Sequence, residues 1–135
     1  MRRIFAEISA FNAFTKKYGA QIAVADINGD GTDEIIAGTG PAPANAPLIR
    51  VFTADGTLLL QTRPFGKGTK FGMNVAAADL DSDGKAEIIA GLGPDPLNPA
   101  KMKILKSDGT VLRTLLAYPK KYRHGVRVFT GKVGK

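Results

Sequence analysis

The chain repeats itself every 53 residues, and that period limits its folds more than any other feature. Gly19, Gly72 and Gly125 stand 53 positions apart, as do Asp26 and Asp79, Glu34 and Glu87, Gly38 and Gly91, and Asp55 and Asp108. "YGAQIAVADINGDGTDEIIAGTGP" lies over "FGMNVAAADLDSDGKAEIIAGLGP" without a gap, and "VFTADGTLLL" lies over "ILKSDGTVLR". Two full copies run over residues 13–65 and 66–118. Residues 1–12 fall where the last strand of a preceding copy belongs. Residues 119–135, with "HGVRVFTGK" over "FGMNVAAAD", fall where the first strand of an incomplete third copy belongs. A repeat of this length is one supersecondary unit, which buries its apolar face only against a neighbour.

Each copy reads as four strands. The first, "QIAVAD" or "NVAAAD", is small and apolar. The second, "EIIAG", is a β-branched run stopped by glycine. A proline-rich loop follows, which cannot pair in a sheet because proline lacks the backbone donor. The third strand is "LIRVFT" or "KMKILK", and the fourth is "LLLQTRPF" or "VLRTLLAY". The Asp-Gly pairs between them mark hairpins, since such pairs readily supply positive φ. The expected fold is therefore all-β: β-propeller blades of four antiparallel strands, two full blades plus a flanking strand at each end. A solenoid of the same repeats is the alternative. The alanines of the first strand favour a propeller, whose inner strands crowd toward the axis. Two blades fall short of the roughly 4–8 that close a ring, so the reading is a partial propeller or one completed by another chain.

Composition narrows the chemistry. The chain has no cysteine and a single histidine, His124, which excludes disulfides, thiol catalysis and a multi-histidine metal site within one chain. No apolar run reaches the roughly 20 residues of a membrane helix. "MRRIFAEISAFNAF" is interrupted by Glu7 and Asn12 and makes a poor signal sequence. The net charge is +7, and no acidic residue follows Asp108. A basic tail of this kind suits an anionic partner or a solvated face.

Against that positive balance, eight of the twelve acidic residues sit in two short stretches, "DINGDGTDE" and "DLDSDGKAE". Oxygen-bearing side chains fall at loop positions one, three, five and nine, with glycine at six and a usable carbonyl at seven. Such hard oxygen ligands suit Ca²⁺, which takes about 6–8 oxygens at about 2.3–2.6 Å, better than Mg²⁺ with its strict octahedron. An EF-hand would need a glutamate at position twelve, where this chain has Ala37 and Ala90. A metal-free acidic turn is the other reading. Asp33, opposite Ala86, is expected to face solvent.

The stretches "YG…DINGDGTDEIIAGTGPAP" and "FG…DLDSDGKAEIIAGLGPDP" resemble the FG-GAP repeats of integrin α-subunit propellers and their bacterial relatives, often called VCBS repeats. The resemblance covers nearly the whole chain. It implies calcium in the hairpin between the first and second strands of each blade, two sites per chain. The ligands implied are Asp26, Asn28, Asp30, Thr32 (backbone) and Glu34, then Asp79, Asp81, Asp83, Lys85 (backbone) and Glu87. Lys132 stands where a third loop would place its first aspartate and would oppose a cation, so no third site is expected.

The function this implies is a non-enzymatic calcium-binding module for protein or glycan binding, adhesion or assembly. Its expected place is extracellular or at the cell surface, with the periplasm as a variant. Partners would be a protein or glycan ligand, and other blades of a longer chain or a homo-oligomer. The loops Gly40–Pro47 and Gly93–Pro99 are candidate contact surfaces. A propeller polysaccharide lyase is a further class, weakened by the absence of a spare catalytic constellation. Nucleic-acid binding by the tail, where Tyr122 and Phe129 alternate with Lys and Arg, is another. It is weakened because "GVRVF" reads as an ordinary inner strand.

Overall fold

The computed structural model describes residues 19–66, 68–119 and 121–130. Eight strands follow one another: β1 (Ala20–Ala25), β2 (Glu34–Thr39), β3 (Ile49–Phe52), β4 (Leu58–Thr62), β5 (Met73–Ala78), β6 (Glu87–Leu92), β7 (Lys101–Leu105) and β8 (Val111–Leu116). They form two four-stranded sheets, each a meander in chain order. Every pairing is antiparallel, and the registers match between copies: Ala25 faces Glu34 as Ala78 faces Glu87. There is no helix among the described residues. The sheets are two propeller blades, standing open and not closed into a ring. They lie within residues 13–65 and 66–118. The strand expected in residues 1–12 lies outside the described residues, as does Lys132.

The fourth strands end sooner than the sequence suggests. β4 stops at Thr62 and β8 at Leu116, not at Phe65 and Tyr118. Pro64 lacks a donor for the ladder, and the chain turns there, Gly66 N donating to Arg63 O at 3.1 Å. The Asp-Gly hairpins place only their glycines at positive φ, Gly56 at 94° and Gly109 at 86°. The register slips beside each one, so Val51 faces Leu60 while Phe52 faces Leu58. This is a tight turn closed by a left-handed glycine and a bulge.

Each turn aspartate is anchored by threonines. Asp55 accepts from the Thr53 hydroxyl and from the Thr57 amide at 3.1 Å and hydroxyl at 2.9 Å. Asp108 accepts from the Thr110 amide at 2.9 Å. These bonds hold both carboxyls below the usual range, the Thr53 hydroxyl acting most on Asp55 and the Thr110 hydroxyl most on Asp108. A folded-state pKa below the unfolded one contributes stability above the unfolded value of about 3.9, lost as pH falls through the folded value. The double substitution Asp55→Asn with Asp108→Asn should therefore flatten the acid limb of stability below about pH 5. Urea midpoints of parent and variant against pH read this directly; parallel curves would remove the turns as its source.

The blades stack through one core. Ile36, Ile49 and Val51 of the first sheet meet Met73, Val75, Ile88 and Leu105 of the second, with Ala23 and Ala25 against them. The small alanines let β5 come close, as does Gly38. A Cβ at Gly38 would stand 2.9 Å from Met73 Cγ and 3.0 Å from Val75 Cγ1. One period later, a Cβ at Gly91 would meet Val126 Cγ1 at 3.0 Å and Val128 Cγ1 at 3.1 Å. Residues 126–130 thus cover the second blade as β5 covers the first. Val126 and Val128 are half-buried while Arg127 and Phe129 are exposed, which is the alternation of an inner strand. The segment nevertheless forms no ladder. An inner strand pairs with the second strand of its own blade, and no described residue supplies one.

Candidate metal centre

β1 and β5 deliver the chain into the two acidic loops, and β2 and β6 take it back. Gly31 and Gly84, at position six, have φ of 88° each, which a side chain would strain. Position four is left-handed as well, with Gly29 at 79° and Ser82 at 63°. These turns aim backbone amides inward, and the carboxylates collect them. Asp26 Oδ1 accepts from Gly29 N at 2.7 Å and Asp30 N at 3.2 Å, and its Oδ2 from Gly31 N at 2.8 Å. Asn28 Oδ1 accepts from Asp30 N at 3.0 Å. Asp30 Oδ1 accepts from Thr32 N at 2.8 Å and the Thr32 hydroxyl at 2.7 Å.

The second loop repeats the pattern. Asp79 accepts from Asp83 N at 3.2 Å and Gly84 N at 2.8 Å, Asp81 from Asp83 N at 3.2 Å, and Asp83 from Lys85 N at 2.8 Å. Behind each loop stands a buried glutamate. Glu34, 1% exposed, accepts from Ile27 N at 3.0 Å; Glu87, 6% exposed, accepts from Leu80 N at 2.8 Å.

These bonds draw the acidic side chains together. Asp26, Asp30 and Glu34 each present a carboxylate oxygen within 4.8 Å of the others, as do Asp79, Asp81, Asp83 and Glu87. Asn28 and Thr32 are placed by their hydrogen bonds in the first loop. Lys85 contributes its backbone amide to the second, but its side chain leaves that loop and lies on the first. A Cβ at Gly29 would stand 3.0 Å from Lys85 Cγ. Asp33 is exposed and outside the cluster. The loops are also joined by the backbone, Ala86 N donating to Asp26 O at 2.8 Å.

The charge state fits a site that receives a cation. Asp30 is held below the ordinary carboxylate range chiefly by the Thr32 amide, and Asp79 chiefly by the Gly84 amide. Asp81 is pushed up, first by loss of surrounding water in the crowded loop, with the charge of Asp83 adding to it. A buried carboxylate with one amide for company is costly, and Glu34 and Glu87 are both in that position. An all-oxygen donor set, held from behind by amides, is the chemistry that could hold a hard metal ion.

Residues 26–90, which begin at Asp26 and enclose both loops, match the family model of the FG-GAP-like repeat. These residues carry an FG-GAP-like repeat. The crystal structure of the exotype rhamnogalacturonan lyase YesX is similar, with a TM-score of 0.59 and 24% identity over 75% of this chain. That likeness carries the fold, and the chain spans only 23% of the length of that structure. No curated protein matches the sequence.

The proline-rich loops do more than face solvent. Asn45 Nδ2 donates to Gly40 O at 2.9 Å, and Asn98 Nδ2 to Gly93 O at 3.0 Å and Lys70 O at 2.9 Å. Their own carbonyls receive Gly72 N at 2.8 Å and Gly125 N at 3.0 Å. Each loop therefore latches its blade to the start of the next, and what it grips is the glycine of Phe71–Gly72 in one case and of His124–Gly125 in the other. The 53-residue spacing of Asn45 and Asn98 was the available signal, hidden among prolines. Replacing Asn98, 2% exposed, by alanine removes the donor to Lys70 O and one of two donors to Gly93 O, which keeps Asp95 N at 2.9 Å. It should cost about 1–3 kcal/mol in a denaturant titration; a loss below about 0.5 kcal/mol would show that the latch is not held by this side chain.

Proposed function

We propose that the chain is a calcium-stabilised propeller module that binds or assembles with a protein or glycan outside the cytoplasm, with no catalysis of its own. The observation that carries this is the pair of loops in register, each gathering its carboxylates within 4.8 Å in front of a buried glutamate. Asp26, Asn28, Asp30, Glu34 and the Thr32 carbonyl would hold one ion. Asp79, Asp81, Asp83, Glu87 and the Lys85 carbonyl would hold the other. The ion would supply charge neutralisation and a pin for each hairpin. Millimolar calcium saturates extracellular modules with dissociation constants of about 10⁻⁴–10⁻³ M, which is the reason for placing the protein there. Among the described residues no helix is long and apolar enough to cross a membrane.

Calorimetric titration of the EDTA-stripped protein tests the reading. Two bound calcium ions per chain, with a higher melting temperature, are expected. No bound ion would reduce the loops to acidic turns. Completion of the ring by further blades, from a longer chain or further copies, accounts for Ile22 and Val24, 54% and 56% exposed on the face of β1 away from the core.

A catalytic reading draws on the likeness to a lyase. Against it, the loop carboxylates are gathered into the two acidic clusters and His124 is exposed at a turn. Nucleic-acid binding by the tail has the exposed Tyr122 and Phe129 in its favour; it requires affinity that falls steeply with salt.

A further inference from the structure

A second site lies at the other ends of the strands. Gln21, Asn74 and Arg127 are 53 residues apart and occupy the same position on three successive inner segments. All three line one cleft of about 310 Å³, within the range of small-molecule sites. The acidic loops leave β1 and β5 at their far ends, so an inner strand of six residues, roughly 20 Å, separates the two sites.

The lining specifies a ligand. Phe71, Leu92 and Pro94 provide apolar walls. Asn74 Nδ2 is fixed on Val126 O at 3.0 Å, which orients the amide and leaves its Oδ1 without a hydrogen bond among the described residues. Gln21 brings a second amide, able to donate and accept. Where the first two repeats place an amide, the third places Arg127, whose guanidinium lies 5.9 Å from the Phe129 ring centroid. Among the described residues no acidic side chain lines the cleft. Asp95, beside Pro94, is buried and turned into its own loop, accepting from Leu97 N at 2.9 Å.

We propose that this cleft binds an acidic sugar, with its carboxylate on Arg127, its hydroxyls on the amides of Gln21 and Asn74, and its C–H face against Phe71 and Pro94. Arginine is the side chain whose fork matches a carboxylate. Two amides match hydroxyls that both donate and accept. The inference does not depend on an ion in the acidic loops.

The test is a titration of the full chain with glucuronate, followed by NMR at fixed calcium, with glucose and acetate as comparisons. Glucuronate should move the resonances of Gln21, Asn74 and Arg127. Glucose and acetate should each bind about tenfold more weakly or worse, since each lacks half of the contacts. Arg127→Gln, at an exposed position, should keep the melting temperature and weaken glucuronate by about tenfold or more. Unmoved resonances, or equal binding by Arg127→Gln, would overturn the site. Acetate binding as tightly as glucuronate would overturn the sugar assignment.

Discussion

Replacing Gly72 by alanine should unfold the blade pair or leave it barely stable, with a loss of about 4 kcal/mol or more. Gly72 has φ of 62°, where an L side chain is strained. The larger obstacle is space. A Cβ would stand 2.2 Å from both Thr39 O and Gly40 O and 2.7 Å from Gly40 C. All three are backbone atoms at the end of β2, and no side-chain rotation relieves them. The same residue donates to Asn45 O at 2.8 Å and accepts from Gly93 N at 3.1 Å. Moving it away breaks both the latch to the first blade and the closure of the second. Gly66→Ala is the comparison, because Gly66 also has positive φ, 74°, with nothing within 4 Å of its Cβ position. It should cost only the backbone term of about 1–2 kcal/mol. Urea denaturation of both variants decides the matter. Equal losses would mean that the blades approach less closely at Phe71–Gly72 than this packing requires.

That glycine also shows what the sequence makes legible and what it hides. The repeat places Gly19, Gly72 and Gly125 in register, and the strand pattern between them follows from local signals: alternation, β-branched runs and Asp-Gly turns. Those signals act over a few residues, so the eight strands and the two acidic loops can be read from them. Contacts between blades are not local. Nothing near Gly72 in the chain says that Thr39 and Gly40 will lie against it. Nothing near Asn45 says that its carbonyl will hold the next blade, and the proline-rich loop around it reads as surface. Lys85 reads as part of its own loop, yet its side chain packs on Gly29 of the neighbouring one. The strand ends are illegible for a smaller reason: Thr62 and Leu116 are followed by Arg63 and by Ala117 and Tyr118, which are compatible with a strand, yet the pairing stops ahead of Pro64 and Pro119.

The acidic loops support a sharper prediction than ion binding alone. Glu34→Gln should make the protein less stable in calcium and no less stable in EDTA. The glutamine oxygen can still accept from Ile27 N, so the hydrogen bond that positions Glu34 at 3.0 Å survives. What disappears is a negative charge on a side chain only 1% exposed. Without an ion that charge is a burden, because a buried carboxylate is costly and the neutral amide is less so. With an ion it is an asset, since binding to the folded state stabilises by about 2.7 kcal/mol per site at a hundredfold excess over the dissociation constant. The variant should lose most of that gain at the first loop and keep it at the second, where Glu87 repeats the arrangement. Asp33→Asn, exposed and outside the cluster, should match the parent in both conditions. Denaturation in calcium and in EDTA, for the parent and both variants, gives four differences to compare. If Glu34→Gln destabilises as much in EDTA as in calcium, Glu34 is a structural cap for the Ile27 amide, and the first loop holds its shape without an ion.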